Sequence, residues 1–171
     1  HSLFIVKSKS DINKIEELRN RSLTLSDEFS ASGYEVPKHE LENIGLPITD
    51  KKIYKNIYYV KNHDEAIKRV LQGSTDVAAT SSINFEKWFK SNQKENKSLR
   101  VIYKSSAISG PPLVFAKNLD SLLKDEIKSI VLDAHNHIDL GGYGGEMERY
   151  IDIETSQTKH LQSYIRPQWG W

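Results

Sequence analysis

Three short stretches of this 171-residue chain hold the side chains best suited to chemistry. The first is SDEFSASGYEVPKHEL, residues 26 to 41, where Ser30, Ala31 and Ser32 run into Gly33 and Tyr34 as an amphipathic segment begins. A helix start offers unpaired N–H groups and the positive end of the dipole, and two hydroxyls beside it can donate to one oxyanion. The same residues also suit a plain cap and turn, since Ser caps well and Gly permits a tight approach. The second stretch is KNHDEAIKRVLQGSTDVAAT, residues 61 to 80, in which His63 opens a helix between two strands. Loops after parallel strands gather at the carboxyl edge of a sheet, where ligands bind. His63 would then stand beside the SASG turn; the alternative is that Asn62 or His63 only caps the helix. The third is DAHNHID, residues 133 to 139, where His135 and His137 have the spacing of two imidazole ligands to a metal. A metal-dependent hydrolase needs more ligands downstream, and His160 is the one histidine there. The competing reading is a frayed helix end with His near its negative pole.

Composition narrows the classes. With 24 Lys plus Arg against 23 Asp plus Glu, the formal net charge is +1, so no broad basic footprint exists for nucleic acid or an anionic membrane. An anion site must be local. There is no cysteine, which excludes disulfides, thiol nucleophiles and Cys-ligated metals. No apolar run approaches the roughly 20 residues of a membrane span. No GxSxG, Walker, dinucleotide-glycine or paired-carboxylate signature is present. Tyr54, Tyr58, Tyr59, Trp88, Tyr103, Trp169 and Trp171 read as packing aromatics. No cofactor, catalytic residue or metal ligand is expected on these grounds.

The elements that must position these groups follow from periodicity. LFIVK (3 to 7), SLTLS (22 to 26), KIYKNIYYV (52 to 60), TDVAATS (75 to 81), LRVIYKS (99 to 105) and PLVFAK (112 to 117) read as strands. Helices are expected over 11–20, where Ile12, Ile15 and Leu18 recur at helical spacing after Asp11, and over 33–44, with Pro37 in the first turn. Further helices are expected over 63–72, closed by Gly73, over INFEKWFKS (83 to 91), and over 121–134. QKENKS (93 to 98) reads as a charged loop. Strands alternating with helices predict an α/β fold with a mostly parallel sheet covered on both faces. After residue 138 the pattern changes: GGYGG interrupts it, a polar helix-like segment follows, and IRPQWGW closes the sequence.

In this order the segments resemble the phosphate-, phosphite- and phosphonate-binding proteins of ABC transporters. The family's S-T-S-G-Y-x-x-P is matched by SASGYEVP (30 to 37), and its G-S-H-D-x-A helix start by Asn62, His63, Asp64 and Ala66. GSTDVAAT and LRVIYKSSAISGPPLVFAKNL match two further motifs, so the resemblance covers residues 2 to about 134. It implies a lobe of a type II periplasmic binding fold over residues 1–134, with a preceding lobe elsewhere. A C-terminal tail, 135–171, would pack on that other lobe. The implied role is non-catalytic binding of a small phosphorus-containing anion outside the cytoplasm, for an ABC permease or, alternatively, a signalling partner. Ser30 and Ser32 would donate hydroxyl hydrogen bonds, Ala31, Gly33 and Tyr34 backbone N–H groups, and His63 a ring N–H. Three departures stand out: Ala31 replaces a Thr, Ser81 stands where an acid is common, and the turn over residues 108–112 lacks the family's Asp. Lost carboxylates make an aminoalkyl phosphonate a poorer match than phosphate or phosphite.

Overall fold

The computed structural model describes residues 1–92, 95–108, 112–140 and 148–152. Two compact units divide the chain, His1–Ile108 and Ser109–Trp171. The first is built on a five-stranded mixed sheet of β1 (Ser2–Lys7), β2 (Ser22–Leu25), β3 (Asn56–Tyr59), β4 (Val77–Ser81) and β5 (Leu99–Lys104), in the order β3-β2-β4-β1-β5. β2 runs parallel to β3 and β4, while β1 is antiparallel to both β4 and β5. Four strands therefore point one way and β1 alone points back, which is the mostly parallel α/β sheet expected.

Alternation along β1 sorts the core. Phe4 and Val6 join Leu23, Leu25, Val77 and Ala79 on one face, packed with Ile12, Ile15, Leu18, Leu41 and the 46–54 segment. Leu3, Ile5 and Ala78 face the other way, under α2 (His63–Gln72) and α3 (Ser82–Ser91). Burial on both faces explains why β2 is buried at all four positions rather than alternating. α2 is well specified: Asn62 caps it, Asp64 and Glu65 sit in the first turn, and Gly73 ends it at φ 78°.

Several elements differ from the sequence expectation. Residues 11–20 form only a single 3-10 turn, Ile15–Glu17, although Ile12, Ile15 and Leu18 are buried as their spacing predicts. The expected 33–44 helix begins as a π-type turn, Ala31–Glu35, and becomes α1 only over Val36–Asn43. Of 52–60, only Asn56–Tyr59 is strand, and the charged loop contains a 3-10 turn at Asn96–Ser98.

In the second unit α4 (Ser121–Asp133) starts at Asp120, whose side chain accepts from the N–H groups of Leu122 and Leu123. Residues 112–117 form no strand; Leu113, Val114 and Phe115 are exposed without a partner strand. GGYGG and IRPQWGW lie outside the described residues.

Candidate anion-binding site

The antiparallel β1 decides what stands at the carboxyl edge of the sheet. Its first residue, Ser2, pairs with Ser81 at the end of β4, and Leu3 pairs with Lys104 at the end of β5. Ser26 follows β2 at the same edge. Four serines, Ser2, Ser26, Ser81 and Ser105, thus mark the rim where the first two stretches singled out in the sequence meet.

The 26–35 segment returns on itself here. Asp27 starts the loop, its Oδ1 accepting from the N–H of Phe29 at 2.9 Å and its carbonyl from Ser30 at 2.9 Å. The N–H of Ser26 then donates to the carbonyl of Gly33 at 2.9 Å. Ser30 is extended at φ −79° and ψ 116°, and its Oγ accepts from the N–H of Gly33 at 3.0 Å. Its carbonyl receives the N–H groups of both Tyr34 and Glu35 at 3.0 Å, the wide spacing that makes the turn π-type. Ser2 Oγ donates to the carbonyl of Ser32 at 2.6 Å, so β1 pins the turn from below.

This wiring refines the expected donor set. The N–H groups of Gly33 and Tyr34 close the turn itself. Those of Ala31 and Ser32 have no acceptor among the described residues, as expected for the first amides of a helical turn. Ser30 accepts from Gly33 and keeps its own hydroxyl hydrogen as a donor. Gly33 is required sterically, because a Cβ there would fall on the Cβ and Oγ of Ser26 and lie 2.9 Å from His63 Cε1.

His63 is the first residue of α2 and is relieved of capping by Asn62, whose Oδ1 accepts from the N–H of Glu65 at 2.9 Å. Its ring, half-buried, reaches back to the sheet: the N–H of Ser81 donates to Nδ1 at 3.2 Å, and Ser26 Oγ lies 3.3 Å from the same nitrogen. Burial lowers the ring's affinity for a proton, against a weaker opposing pull from Asp64. A neutral imidazole with Nδ1 engaged as acceptor carries its hydrogen on Nε2. Beside the turn lies a groove of about 440 Å³ lined by Asp27, Glu28, Tyr34, Tyr59, Val60 and Lys61, with the rings of Tyr34 and Tyr59 6.1 Å apart.

A Ser and a His within hydrogen-bond reach invite a nucleophile reading. The geometry opposes it, since Ser26 is 1% exposed beneath Gly33 and Nδ1 also accepts an amide N–H. What the arrangement offers is a set of N–H and O–H donors gathered at one sheet edge. The candidates Ser30, Ala31, Ser32, Gly33, Tyr34 and His63 are brought together; Ser2, Ser26 and the backbone of Ser81 were missed. Their signal lies in strand register, which no local window of sequence contains.

The His-x-His stretch belongs to the second unit. Among the described residues no three His, Asp or Glu groups converge on a metal position. His137 Nε2 instead pairs with Asp133 Oδ2 at 2.7 Å, one helical turn back, and Asn136 and His137 together hold the Asp133 carboxyl below its ordinary range. His160 lies outside the described residues.

Comparison with known proteins points to one family. A phosphonates-binding periplasmic protein of Escherichia coli (strain K12) is 32% identical over 131 residues, covering 74% of this chain and 38% of that protein. A probable ABC transporter phosphite-binding protein of Prochlorococcus marinus (strain MIT 9301) is 25% identical over 96% of this chain and 60% of its own length. The chain therefore spans less than two thirds of these relatives. A solved binding-protein component of an ABC phosphonate transporter from Pseudomonas aeruginosa shares the fold, with a TM-score of 0.74 at 20% identity over 95% of this chain and 55% of that one. Residues 1–157 match the family described as "ABC transporter, phosphonate, periplasmic substrate-binding protein". The chain belongs to this family of periplasmic substrate-binding proteins.

Proposed function

We propose that this chain is a recognition lobe for a small phosphorus oxyanion (phosphate, phosphite or a phosphonate), binding without catalysis outside the cytoplasm and serving an ABC permease. The observation that carries the reading is the π-type turn at the carboxyl edge beside a neutral His63. It offers the amides of Ala31 and Ser32 and the hydroxyls of Ser30 and Ser32 at the positive end of a helical turn, without a carboxylate in that turn before Glu35. His63 adds a ring N–H from Nε2. A neutral ring with Nδ1 engaged can still donate one hydrogen bond from Nε2 to an anion.

Within the class, departures of the sequence from the resembled family set the expected preference. Ser81 and residues 108–112 carry no acid where the resemblance leads one to expect one, which favours phosphate, phosphite or methylphosphonate over an aminoalkyl phosphonate, with Asp27 and Glu28 of the adjacent groove as the carboxylates that would act the other way. Calorimetric titration of the full-length protein with phosphate, phosphite, methylphosphonate and aminoethylphosphonate tests both points. Saturable heat with one of the first three is expected, and silence with all four would overturn the ligand class.

A further inference from the structure

We infer that Ser26 is a positioning residue of this site, holding the His63 imidazole through Nδ1 so that Nε2–H is the ring's donor to a bound oxyanion. The inference rests on the cradle reading for its purpose, and on geometry alone for its mechanism. An amide N–H can only donate, so the 3.2 Å contact from Ser81 makes Nδ1 an acceptor. Ser26 Oγ, 3.3 Å from the same atom, has no other hydrogen-bond partner among the described residues, so with Nδ1 an acceptor the hydroxyl is placed to share that lone pair as a second donor. Ser26 itself cannot drift. It is 1% exposed, its N–H is tied to the carbonyl of Gly33 at 2.9 Å, and its side chain fills the space that Gly33 leaves open.

The need for two donors on one nitrogen follows from the ligand. An imidazole in the other tautomer would turn a lone pair toward an anion, and a neutral ring can adopt either form unless its surroundings choose. The Ser81 amide comes from β4 and the Ser26 hydroxyl from the end of β2, so the ring is held from two strands at once. Sequence distance conceals the arrangement, with Ser26 37 residues before His63 and Ser81 18 after it.

The test is long-range ¹H–¹⁵N spectroscopy of the imidazole in the full-length protein without ligand, combined with methylphosphonate titration of wild type and Ser26→Ala. Wild-type His63 is expected as the Nε2–H tautomer with Nδ1 shifted as a hydrogen-bonded acceptor. Ser26→Ala should show a growing share of the Nδ1–H form and bind methylphosphonate roughly 3- to 10-fold more weakly, the loss of one hydrogen bond's worth of ordering. An Nδ1–H ring in wild type overturns the inference, and that result stands even if the variant does not fold. So does an unchanged ring signature in Ser26→Ala, whatever happens to affinity, or a changed signature with affinity intact. If wild type binds no phosphorus oxyanion while the ring behaves as expected, the cradle reading fails and the hold on His63 stands.

Discussion

At Ser32 the backbone and the side chain have separate duties. The carbonyl anchors the turn to Ser2 Oγ, while the hydroxyl has no partner among the described residues. Ser32→Ala should therefore leave the turn in place and remove one charge-assisted donor, worth about 1.5–3 kcal/mol, so affinity for the anion should fall by roughly one to two decades. Paired titrations and thermal melts check this, and a collapse in melting temperature with affinity intact would reduce the stretch to a cap. At Gly33 the tight approach is to protein rather than to ligand. Its missing Cβ makes room for Ser26 and His63, so Gly33→Ala should destabilise the fold by about 1–3 kcal/mol and lose binding with it. His63 adds a pH signature. Because burial holds its folded value below the ordinary 6.5, the unfolded chain takes up a proton that the folded site refuses. Its contribution is complete above about pH 6.5 and is lost as pH falls from there toward the lower folded value. Melting curves from about pH 7.5 to about pH 5.5 should fall more steeply for wild type than for His63→Gln; equal slopes would mean that another group controls the decline.

Among the elements, the instructive case is residues 11–20. Their apolar spacing predicted burial correctly and helix incorrectly. Arg100 supplies the reason: its Nε donates to the carbonyl of Ser8 at 3.3 Å, and its Nη2 reaches the carbonyls of Ser10 at 3.0 Å and Ile12 at 2.7 Å. The carbonyl of Ile12, inside the expected helix, is claimed from 88 residues away, and the chain is still extended at Lys14, φ −150° and ψ 161°. No window of local sequence holds that information. The strands β1 to β5, α2 and the turn-plus-helix after Ser30 were legible because periodicity, caps and glycine act over a few residues. PLVFAK was misread for the opposite reason: β-prone residues need a neighbouring strand before they form one. Thr24 and Thr80 give a test at this scale. Thr24 is in register with Ala78, and Thr80 lies two residues further along β4, so both sit on the face covered by α2. Both are fully buried with hydroxyls that find no partner among the described residues. Thr24→Val and Thr80→Val should each stabilise the fold by about 1 kcal/mol, read as a raised denaturation midpoint, since no hydrogen bond is given up. Destabilisation by either would mean that its hydroxyl is satisfied in solution.

Viewed as a whole, the molecule concentrates its interior in one unit. Among the described residues every buried apolar side chain falls between Leu3 and Leu99 except Leu140. Residues 1–108 should therefore unfold cooperatively as an isolated fragment. Trp88, stacked on Phe85 at 6.1 Å, is the fragment's one tryptophan and reports on the core directly. Coincident transitions by its fluorescence and by far-UV circular dichroism are expected, and separated or shallow transitions would show that the core is incomplete without the rest. The reversal of β1 has a mechanical consequence for this unit. The N–H of Ser2 donates to Ser105 Oγ at 2.9 Å and the N–H of Ser105 to the carbonyl of Ser2 at 3.0 Å. Residues 2 and 105, far apart in sequence, are thus tied by two hydrogen bonds at the rim that holds the turn. The pair acts as a clasp: fraying of β1 at this end would release the residue that follows β5 with it. Ser2 belongs to that clasp through its backbone and grips the carbonyl of Ser32 through its hydroxyl, so loosening of the clasp would reach the turn through one residue.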